Sequence, residues 1–340
     1  MATVLVTGGA GYVGSHVIPG LKRRGHRVVV FDNLNRGHRS TVEQLDVEFV
    51  PGDLNDTKAL QRLFEAHSID AILHFAALAY VGESVLSPDL YYRVNTAGTL
   101  NLLQQALAAT SGQPPPLVFS SSCAVFGIPE RLPLDERSPK CPISPYGRSK
   151  LAAEWLLEDF GHAYGLRSVV LRYFNAAGAD LTHGLGELHQ PETHLIPLAI
   201  AAGRGEAPLQ LFGGDFDTPD GSAIRDYIHV CDLAEAHLLA LDHLLVGGGS
   251  EDFNLGSGSG VSVRELVHAV ETQLQAPVPV HQAPRRPGDP AALVSDSRKA
   301  SAVLGWQPTC SSLQRIVADA ATWDQCQRSQ RSRELSYVSR

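Results

Sequence analysis

The chain has few cysteines, no long apolar run and no long basic run, and each absence narrows its class. Its five cysteines are an odd number with no Cys-x-x-Cys pair, which argues against a disulfide framework and favours a reduced, cytoplasmic location. No apolar run approaches the roughly 20 residues of a membrane span, so we expect no membrane contact. Because the net charge is −8 without a basic run, we expect no nucleic-acid partner. The first predicted strand begins at the N-terminus and leaves no room for a signal peptide, and we expect no metal site.

A glycine-rich turn follows that first strand. Residues Thr3–Thr7 are apolar and β-branched, as in a buried parallel strand, and they run into GGAGYVG at 8–14. A periodic apolar helix follows, and a second strand ends at Asp32. Such glycines let a pyrophosphate approach a helix N-terminus, and the following acid binds a ribose hydroxyl. The alternative is a glycine turn without a ligand, which the complete strand, helix and acid arrangement disfavours. The Asp32 carboxylate would repel a 2′-phosphate, so the sequence predicts NAD rather than NADP.

Tyr146 and Lys150 form a second informative pair. Their spacing of four places both side chains on one face of a predicted helix. An ammonium group beside a phenol stabilises the phenolate and lowers its pKa, and such a phenol acts as a general acid or base. The YxxxK pattern alone is weak evidence for a catalytic pair because it also occurs by chance. The dinucleotide-binding pattern in the same chain makes that interpretation stronger.

Alternating strands and helices predict an α/β fold built on a Rossmann-type, doubly wound parallel sheet with a smaller C-terminal α/β substrate domain. We expect an NAD-binding domain at 1–175, a nucleotide-sugar-binding domain at 176–328 and a polar tail at 329–340. Residues of about 226–250 are expected to return to the first domain. Helices are predicted over 56–67, 89–109, 146–164, 231–246, 262–275 and 312–326.

Ligands of such sheets collect at the carboxyl ends of the strands. Five residues follow predicted strands there, and one crevice would gather them: Asp53, Phe75, Ala76, Ser122 and Asn175. Asn95 is a polar residue within the predicted helix 89–109, where a helix kink or cap explains it as well as a ligand does. Arg225, Arg285 and Arg286 suit bidentate contacts to phosphate, but pairing with Asp226 or Asp289 is an equally good explanation.

With these residues in view, the chain resembles the UDP-glucose 4-epimerase family, in the extended branch of the short-chain dehydrogenase/reductase superfamily. The GxxGxxG spacing at 8–14 and the YxxxK pair are shared across the superfamily. The segments RDYIHV at 225–230 and APRRPGD at 283–289 are more specific to nucleotide-sugar epimerases. Further matches are FSSS at 119–122, LRYFN at 171–175 and ETHLIP at 192–197, and the likeness spans about residues 2–325.

The resemblance implies roles for matching positions. The residues implied to hold NAD are Gly8, Gly11, Tyr12, Val13, Asp32, Asn33, Asp53, Leu54, Phe75, Ala76, Asn95, Lys150 and Tyr173. Ser122 and Tyr146 would meet the sugar 4-hydroxyl, with Lys150 as the third catalytic residue. The residues implied to bind the rest of the substrate are Asn175, His194, Leu195, Phe212, Arg225, Arg286, Asp289 and Leu293.

Three positions depart from the pattern of some family members. His194 replaces an Asn, and Ala79 replaces a Lys near the cofactor. Leu293 stands where some relatives carry Tyr, which leaves room for an N-acetyl group in the sugar pocket.

The implied activity is the interconversion of UDP-galactose and UDP-glucose through a transient 4-keto sugar, with NAD held throughout. A 4-epimerase of UDP-N-acetylhexosamine or of a UDP-pentose is the alternative. A dehydratase is less favoured because Ser122 is followed by Cys123, Ala124 and Val125 without a carboxylate. A non-catalytic NAD-binding module is disfavoured by the intact catalytic set. The family also implies a homodimer that pairs helices 89–109 and 146–164, which carry apolar residues on more than one face.

Overall fold

The computed structural model describes residues 1–286 and 288–338, with side chains described as far as residue 330. The strands are β1 (Thr3–Thr7), β2 (Arg27–Asp32), β3 (Glu48–Pro51), β4 (Ala71–His74), β5 (Leu117–Ser122), β6 (Ser168–Tyr173), β7 (Asn175–Ala177), β8 (Leu209–Phe212), β9 (Ile224–His229), β10 (Glu251–Leu255), β11 (Gly260–Ser262), β12 (Val280–Ala283) and β13 (Ala292–Leu293). The helices are α1 (Tyr12–Arg23), α2 (Arg39–Leu45), α3 (Thr57–Ala66), α4 (Val81–Leu86), α5 (Pro88–Tyr91), α6 (Gly98–Ala109), α7 (Pro145–Tyr164), α8 (Leu195–Gly203), α9 (Val230–Leu245), α10 (Val263–Leu274), α11 (Arg298–Leu304) and α12 (Leu313–Val338).

Seven parallel strands form the main sheet, in the order β10-β6-β5-β4-β1-β2-β3. Its inner strands are almost wholly buried because helices cover both faces, which explains their continuous apolar runs. The strand order reverses between β1 and β4, and a reversal of this kind opens a crevice at the carboxyl ends. The predicted Rossmann-type, doubly wound sheet is confirmed.

Helices α1 and α9 pack together over one face of this sheet. Gly20 of α1 lies against Leu238 of α9 so closely that a Cβ at position 20 would overlap the leucine side chain. Leu60 of α3, Leu103 of α6 and Leu157 of α7 belong to the apolar cluster on the other face. Burying each such side chain stabilises the fold by about 1.5–3 kcal/mol.

The remaining strands build the part of the molecule that faces the crevice. β9 pairs in parallel with β7 and β13 and antiparallel with β11, while β12 and β8 form a separate parallel pair. Helices α8, α10 and α12 share an apolar cluster that includes Ile200, Leu266 and Ile316. β9 therefore lies between two parts of the chain: β7, which directly follows β6, pairs with it on one side, and β13, which follows residue 280, pairs with it as well.

Two elements differ from the sequence prediction. The helix predicted over 89–109 is interrupted by a π-helical segment, Tyr92–Ala97. Its buried Asn95 accepts from Leu78 N at 2.8 Å and donates to Leu78 O and Ser149 Oγ at 3.0 Å, so the widened turn satisfies an interior amide. At the other end, α12 continues to Val338, past the start of the predicted polar tail, and residues 339 and 340 lie outside the described part.

Among the helices within residues 1–286 and 288–338, none combines the length and apolar character that crossing a bilayer requires. The five cysteines are free thiols.

Candidate active site

The glycine turn at residues 8–14 is packed so closely that Gly8 and Gly14 have no space for a side chain. Gly8 has φ +74°, and a Cβ there would stand 2.5 Å from Ala76 N. Gly14 packs so tightly on the Gly8 carbonyl that a Cβ would overlap it. Gly11 is the N-cap of α1, which has no side-chain cap and no acid in its first turn. The amide groups that begin α1 therefore form a positive, uncapped end suited to a diphosphate.

Asp32 lies beside this turn and is 8% exposed. Its two carboxylate oxygens accept from Ala10 N at 3.1 Å and Leu34 N at 2.8 Å. Burial raises the pKa of Asp32 although these amides oppose the rise. A carboxylate fixed this way accepts ribose hydroxyls and repels a 2′-phosphate, so the glycine cradle and this acid together fit NAD.

Further cofactor candidates continue along the edge of the sheet. Asn33 Nδ2 donates to Asp53 Oδ2 at 2.7 Å, which joins the ends of β2 and β3. Leu54 is buried, and its carbonyl accepts from Asn101 Nδ2 at 3.0 Å. These are residues that the family resemblance implies hold NAD, and they lie together after β2 and β3. Two further candidates, Tyr12 and Val13, are half-buried at the start of α1, and the hydroxyl of Tyr12 donates to Gly178 O at 2.7 Å.

His237 of α9 contacts two of the predicted cofactor residues, and the sequence analysis did not identify this histidine. The Phe75 ring lies 4.6 Å from the His237 ring, and the Tyr173 ring lies 6.0 Å away. Its Nε2 lies 2.9 Å from Ser120 Oγ and its Nδ1 lies 2.8 Å from Leu233 O. The buried His237 imidazole therefore packs against Phe75 and Tyr173, and these contacts hold the two rings at the ends of β4 and β6.

The predicted catalytic residues come together at the end of β5. Tyr146 is 8% exposed, and its ring makes an edge contact with the Tyr91 ring at 6.3 Å between ring centres, while Ser122 is the last residue of β5 and accepts from Ala124 N at 3.2 Å. Lys150 Nζ donates to Ser120 O at 2.9 Å and lies 4.9 Å from the centre of the Phe119 ring.

The expectation that Lys150 lowers the pKa of Tyr146 is wrong when only the groups of the protein act on that phenol. Burial raises the pKa of Tyr146, Tyr173 adds to the rise, and the nearby Ser122 side chain opposes it, whereas the sequence predicts that Lys150 lowers it. Burial also lowers the pKa of Lys150 to about 7, although Glu154 opposes this change. Both side chains are so desolvated that the charged form of each is disfavoured.

The candidate substrate residues line the other side of the crevice. Asn175 Nδ2 donates to Asp226 O at 3.0 Å, which ties β7 to β9. Arg225 and Asp289 form an ion pair at 2.5 Å, so the pairing left open by the sequence is present. Leu293 pairs with Arg225 in the β13–β9 register and packs on the cluster that contains Cys123, next to Ser122.

The remaining predicted substrate residues divide into two groups. The Arg286 guanidinium lies 3.9 Å from the centre of the Phe212 ring, at the ends of β12 and β8, while Arg285 pairs instead with Asp215. His194 and Leu195 stand at the start of α8. Burial lowers the pKa of His194, but hydrogen bonds to Glu187 and Glu192 outweigh it and raise the pKa to about 10.

Comparison with known proteins gives a consistent result. The model of the NAD dependent epimerase/dehydratase family matches residues 4–256. A UDP-glucose 4-epimerase of Halalkalibacterium halodurans is 47% identical over 321 residues, which cover 94% of this chain and 95% of that protein.

Two solved structures agree with the sequence comparison. The UDP-glucose 4-epimerase of Brucella ovis in complex with NAD is 48% identical, with a TM-score of 0.90 over 95% of this chain and 98% of that one. The enzyme of Stenotrophomonas maltophila with bound NAD and formylated UDP-arabinopyranose is 39% identical, with a TM-score of 0.91 over 97% and 100%. Since the family model and the full-length likeness agree with the glycine cradle and the Ser122–Tyr146 pair, this chain belongs to the NAD-dependent epimerase/dehydratase family.

Proposed function

We propose that the chain is a UDP-glucose 4-epimerase that interconverts UDP-galactose and UDP-glucose with NAD held throughout the reaction. The observation that carries the proposal is the placement of Ser122, the buried Tyr146 and the buried Lys150 at the carboxyl end of β5, where Lys150 Nζ donates to Ser120 O at 2.9 Å, in a chain with a complete NAD cradle. Nearly full-length likeness to UDP-glucose 4-epimerases supports this choice within the family.

In this proposal Tyr146 accepts the proton of the sugar 4-hydroxyl at its phenol oxygen and later returns it. Ser122 orients that hydroxyl, since its side chain stands at the carboxyl end of β5, in the position that the family resemblance gives to the residue that meets the sugar 4-hydroxyl. Bound NAD supplies the hydride acceptor and donor for sugar C4, together with a positive charge that favours the Tyr146 phenolate. Lys150, desolvated and fixed on Ser120 O, contributes a proton donor whose pKa lies near neutrality.

The nucleotide is anchored away from the reacting carbon. Arg225, Asp289 and Arg286 lie on β9 and on the segment after β12, so they would hold the diphosphate and uridine while the sugar turns. We further propose that residues 1–175, together with α9 and β10, hold NAD, and that most of the chain from 176 to 328 binds the nucleotide sugar.

A homodimer and a cytoplasmic location complete the proposal. Exposed apolar side chains lie on the neighbouring helices α4 and α7: Val85 is 62%, Leu86 is 85% and Trp155 is 58% exposed. Patches of this kind mark interfaces. Replacing Trp155 by Asp should shift the sedimentation coefficient from dimer to monomer. Tyr164→Asp is the control, because position 164 is about two and a half turns further along α7, on the opposite side of the helix, and should leave the dimer intact. A wild-type monomer at micromolar concentration would contradict the dimer.

Leu293 favours a second candidate, the 4-epimerisation of UDP-N-acetylhexosamines. Its short side chain beside Cys123 leaves more space than a Tyr would. A panel assay with UDP-galactose, UDP-N-acetylgalactosamine and a UDP-pentose tests both candidates. Highest kcat/KM on UDP-galactose supports the main proposal, whereas isomerisation of the acetamido sugar alone supports the second. Release of water without isomerisation would refute both.

A further inference from the structure

A separate group of titratable side chains lies on the segment that precedes α8. His189 Nδ1 is 2.7 Å from Glu187 Oε1, and His194 Nδ1 is 2.5 Å from the same oxygen and 2.9 Å from Glu192 Oε1. One ligand atom from each of these four residues lies within 4.8 Å of all the others. The reaction proposed above uses none of Glu187, His189 and Glu192, whereas His194 is also implied by the family resemblance to contact the substrate.

The surroundings make this group a formed site rather than four loose surface side chains. The carbonyl of Glu187 accepts from Trp323 Nε1 at 2.9 Å, and the Glu187 carboxylate is 9% exposed. The His189 ring lies 5.7 Å from the Tyr80 ring and 6.1 Å from the Tyr12 ring. The hydroxyl of Tyr80 is buried and has no hydrogen-bond partner among the described residues, which leaves one polar atom beside the group to be satisfied.

We propose that Glu187, His189, Glu192 and His194 bind one divalent transition-metal ion, with Zn²⁺ the best match. Two imidazole nitrogens and two carboxylate oxygens are a ligand set that zinc accepts in tetrahedral sites. The two carboxylate charges balance a divalent ion when both imidazoles are neutral. Binding replaces the proton on each Nδ1 by the metal, so protons are released.

The geometry requires only small shifts. Tetrahedral zinc ligands at about 2.0–2.2 Å from the ion stand about 3.3–3.6 Å apart. The pairs at 2.5–2.9 Å must therefore open by less than about 1 Å, and the widest separation of 4.8 Å must close by a little more than that. The His194 side chain is 41% exposed, which leaves a path for the ion to enter.

The site would fix the Glu187–His194 segment against the cofactor side of the molecule. That segment ends in the N-cap of α8, and its His189 ring contacts Tyr12, which follows the glycine turn. The competing explanation is an ion-pair cluster in which two protonated imidazoles balance the two carboxylates without a metal. The two explanations differ in whether the protein takes up an ion.

Calorimetric titration of the chelator-treated, full-length protein with ZnCl₂ distinguishes them. We expect one saturable site with a Kd below about 1 µM. The variants Glu187→Gln and His189→Gln should weaken it by about 10–100-fold or more, the loss typical even of residues that only support a metal ligand. The matched control is His183→Gln, because His183 pairs with one carboxylate, that of Asp180 at 2.6 Å, and it should change the Kd less than twofold.

The wild-type protein decides the question even if a variant fails to fold. Titration with CoCl₂ should produce the visible absorption bands of a four-coordinate site in the same stoichiometry. Absence of saturable binding up to about 100 µM ZnCl₂ would overturn the metal site in favour of the ion-pair cluster. Binding that a folded His189→Gln variant retains at full strength would overturn it equally.

Discussion

Replacing Tyr146 by Phe separates the chemistry of this site from its packing. The substitution keeps a ring that is 8% exposed and its edge contact with Tyr91, and it removes only the phenol oxygen. Even if that oxygen made one hydrogen bond, its loss would cost no more than about 0.5–1.5 kcal/mol of stability. Losing a general base costs about 10²–10⁴-fold in rate, or about 2.7–5.4 kcal/mol of transition-state stabilisation. The loss of transition-state stabilisation should therefore be larger than the loss in free energy of unfolding.

Tyr91→Phe is the matched control, because it removes the same atom from a buried ring nearby. The Tyr91 hydroxyl accepts from Tyr80 N at 3.0 Å and donates to Tyr80 O or to Glu83, so its loss affects several partners. This variant should lose about 1–3 kcal/mol of stability and retain most of its turnover.

The assay measures kcat for UDP-galactose, together with bound NAD and the urea midpoint, for both variants. Turnover of Tyr146→Phe within about threefold of wild type would refute Tyr146 as the base. Loss of bound NAD together with turnover would mean that the residue has a structural role instead.

Three further predictions concern the cradle, the buried histidines and the sugar pocket. Gly8→Ala should lower the free energy of unfolding in urea by about 2–4 kcal/mol, since the new Cβ overlaps Ala76 N and the backbone at Gly8 has positive φ. The control is Gly25→Ala, which also has positive φ but meets nothing within 4 Å and should cost about 1 kcal/mol. Equal costs for the two variants would contradict the tight turn. Burial lowers the pKa of three histidines to about 4, 3 and 4, namely His16, His74 and His237. The unfolded chain therefore binds more protons below about pH 6.5, and stability should fall by up to about 5 kcal/mol from pH 6.5 to 5; a flat urea midpoint would refute buried neutral imidazoles. Leu293→Tyr should lower kcat/KM for UDP-N-acetylhexosamines more than for UDP-glucose, and an equal change for both sugars would remove position 293 from the sugar pocket.

The parts of the site that could be predicted from sequence depend on local spacing. The glycine turn, Asp32 and the Tyr146–Lys150 pair are each contained in a short segment with its own strand or helix signal. His237 gave no such signal, since it sits within an apolar helix and its partner Ser120 is 117 residues away. A helix kink at Asn95 was one of the alternatives that the sequence left open, but the sequence could not decide for it, because Asn95 is satisfied by Leu78 and Ser149 rather than by its neighbours in sequence.

The edge strands were hard to predict for a different reason. β10 and β12 are short and carry polar residues, and β13 spans two residues, so none shows an apolar pattern of useful length. Their pairing depends on β6, β8 and β9, which lie far away in the chain. The pKa of Tyr146 was likewise beyond sequence reasoning, because it depends on how deeply the phenol is buried.

The measurement that tests the central claim most directly is turnover by protein purified and dialysed without added nucleotide. The proposal predicts about one NAD per chain in the denatured extract, and many turnovers of UDP-galactose to UDP-glucose without net formation of NADH. A requirement for one added NAD per turnover, or a purified protein that carries NADP alone, would contradict a 4-epimerase that keeps its cofactor bound and its redox cycle closed.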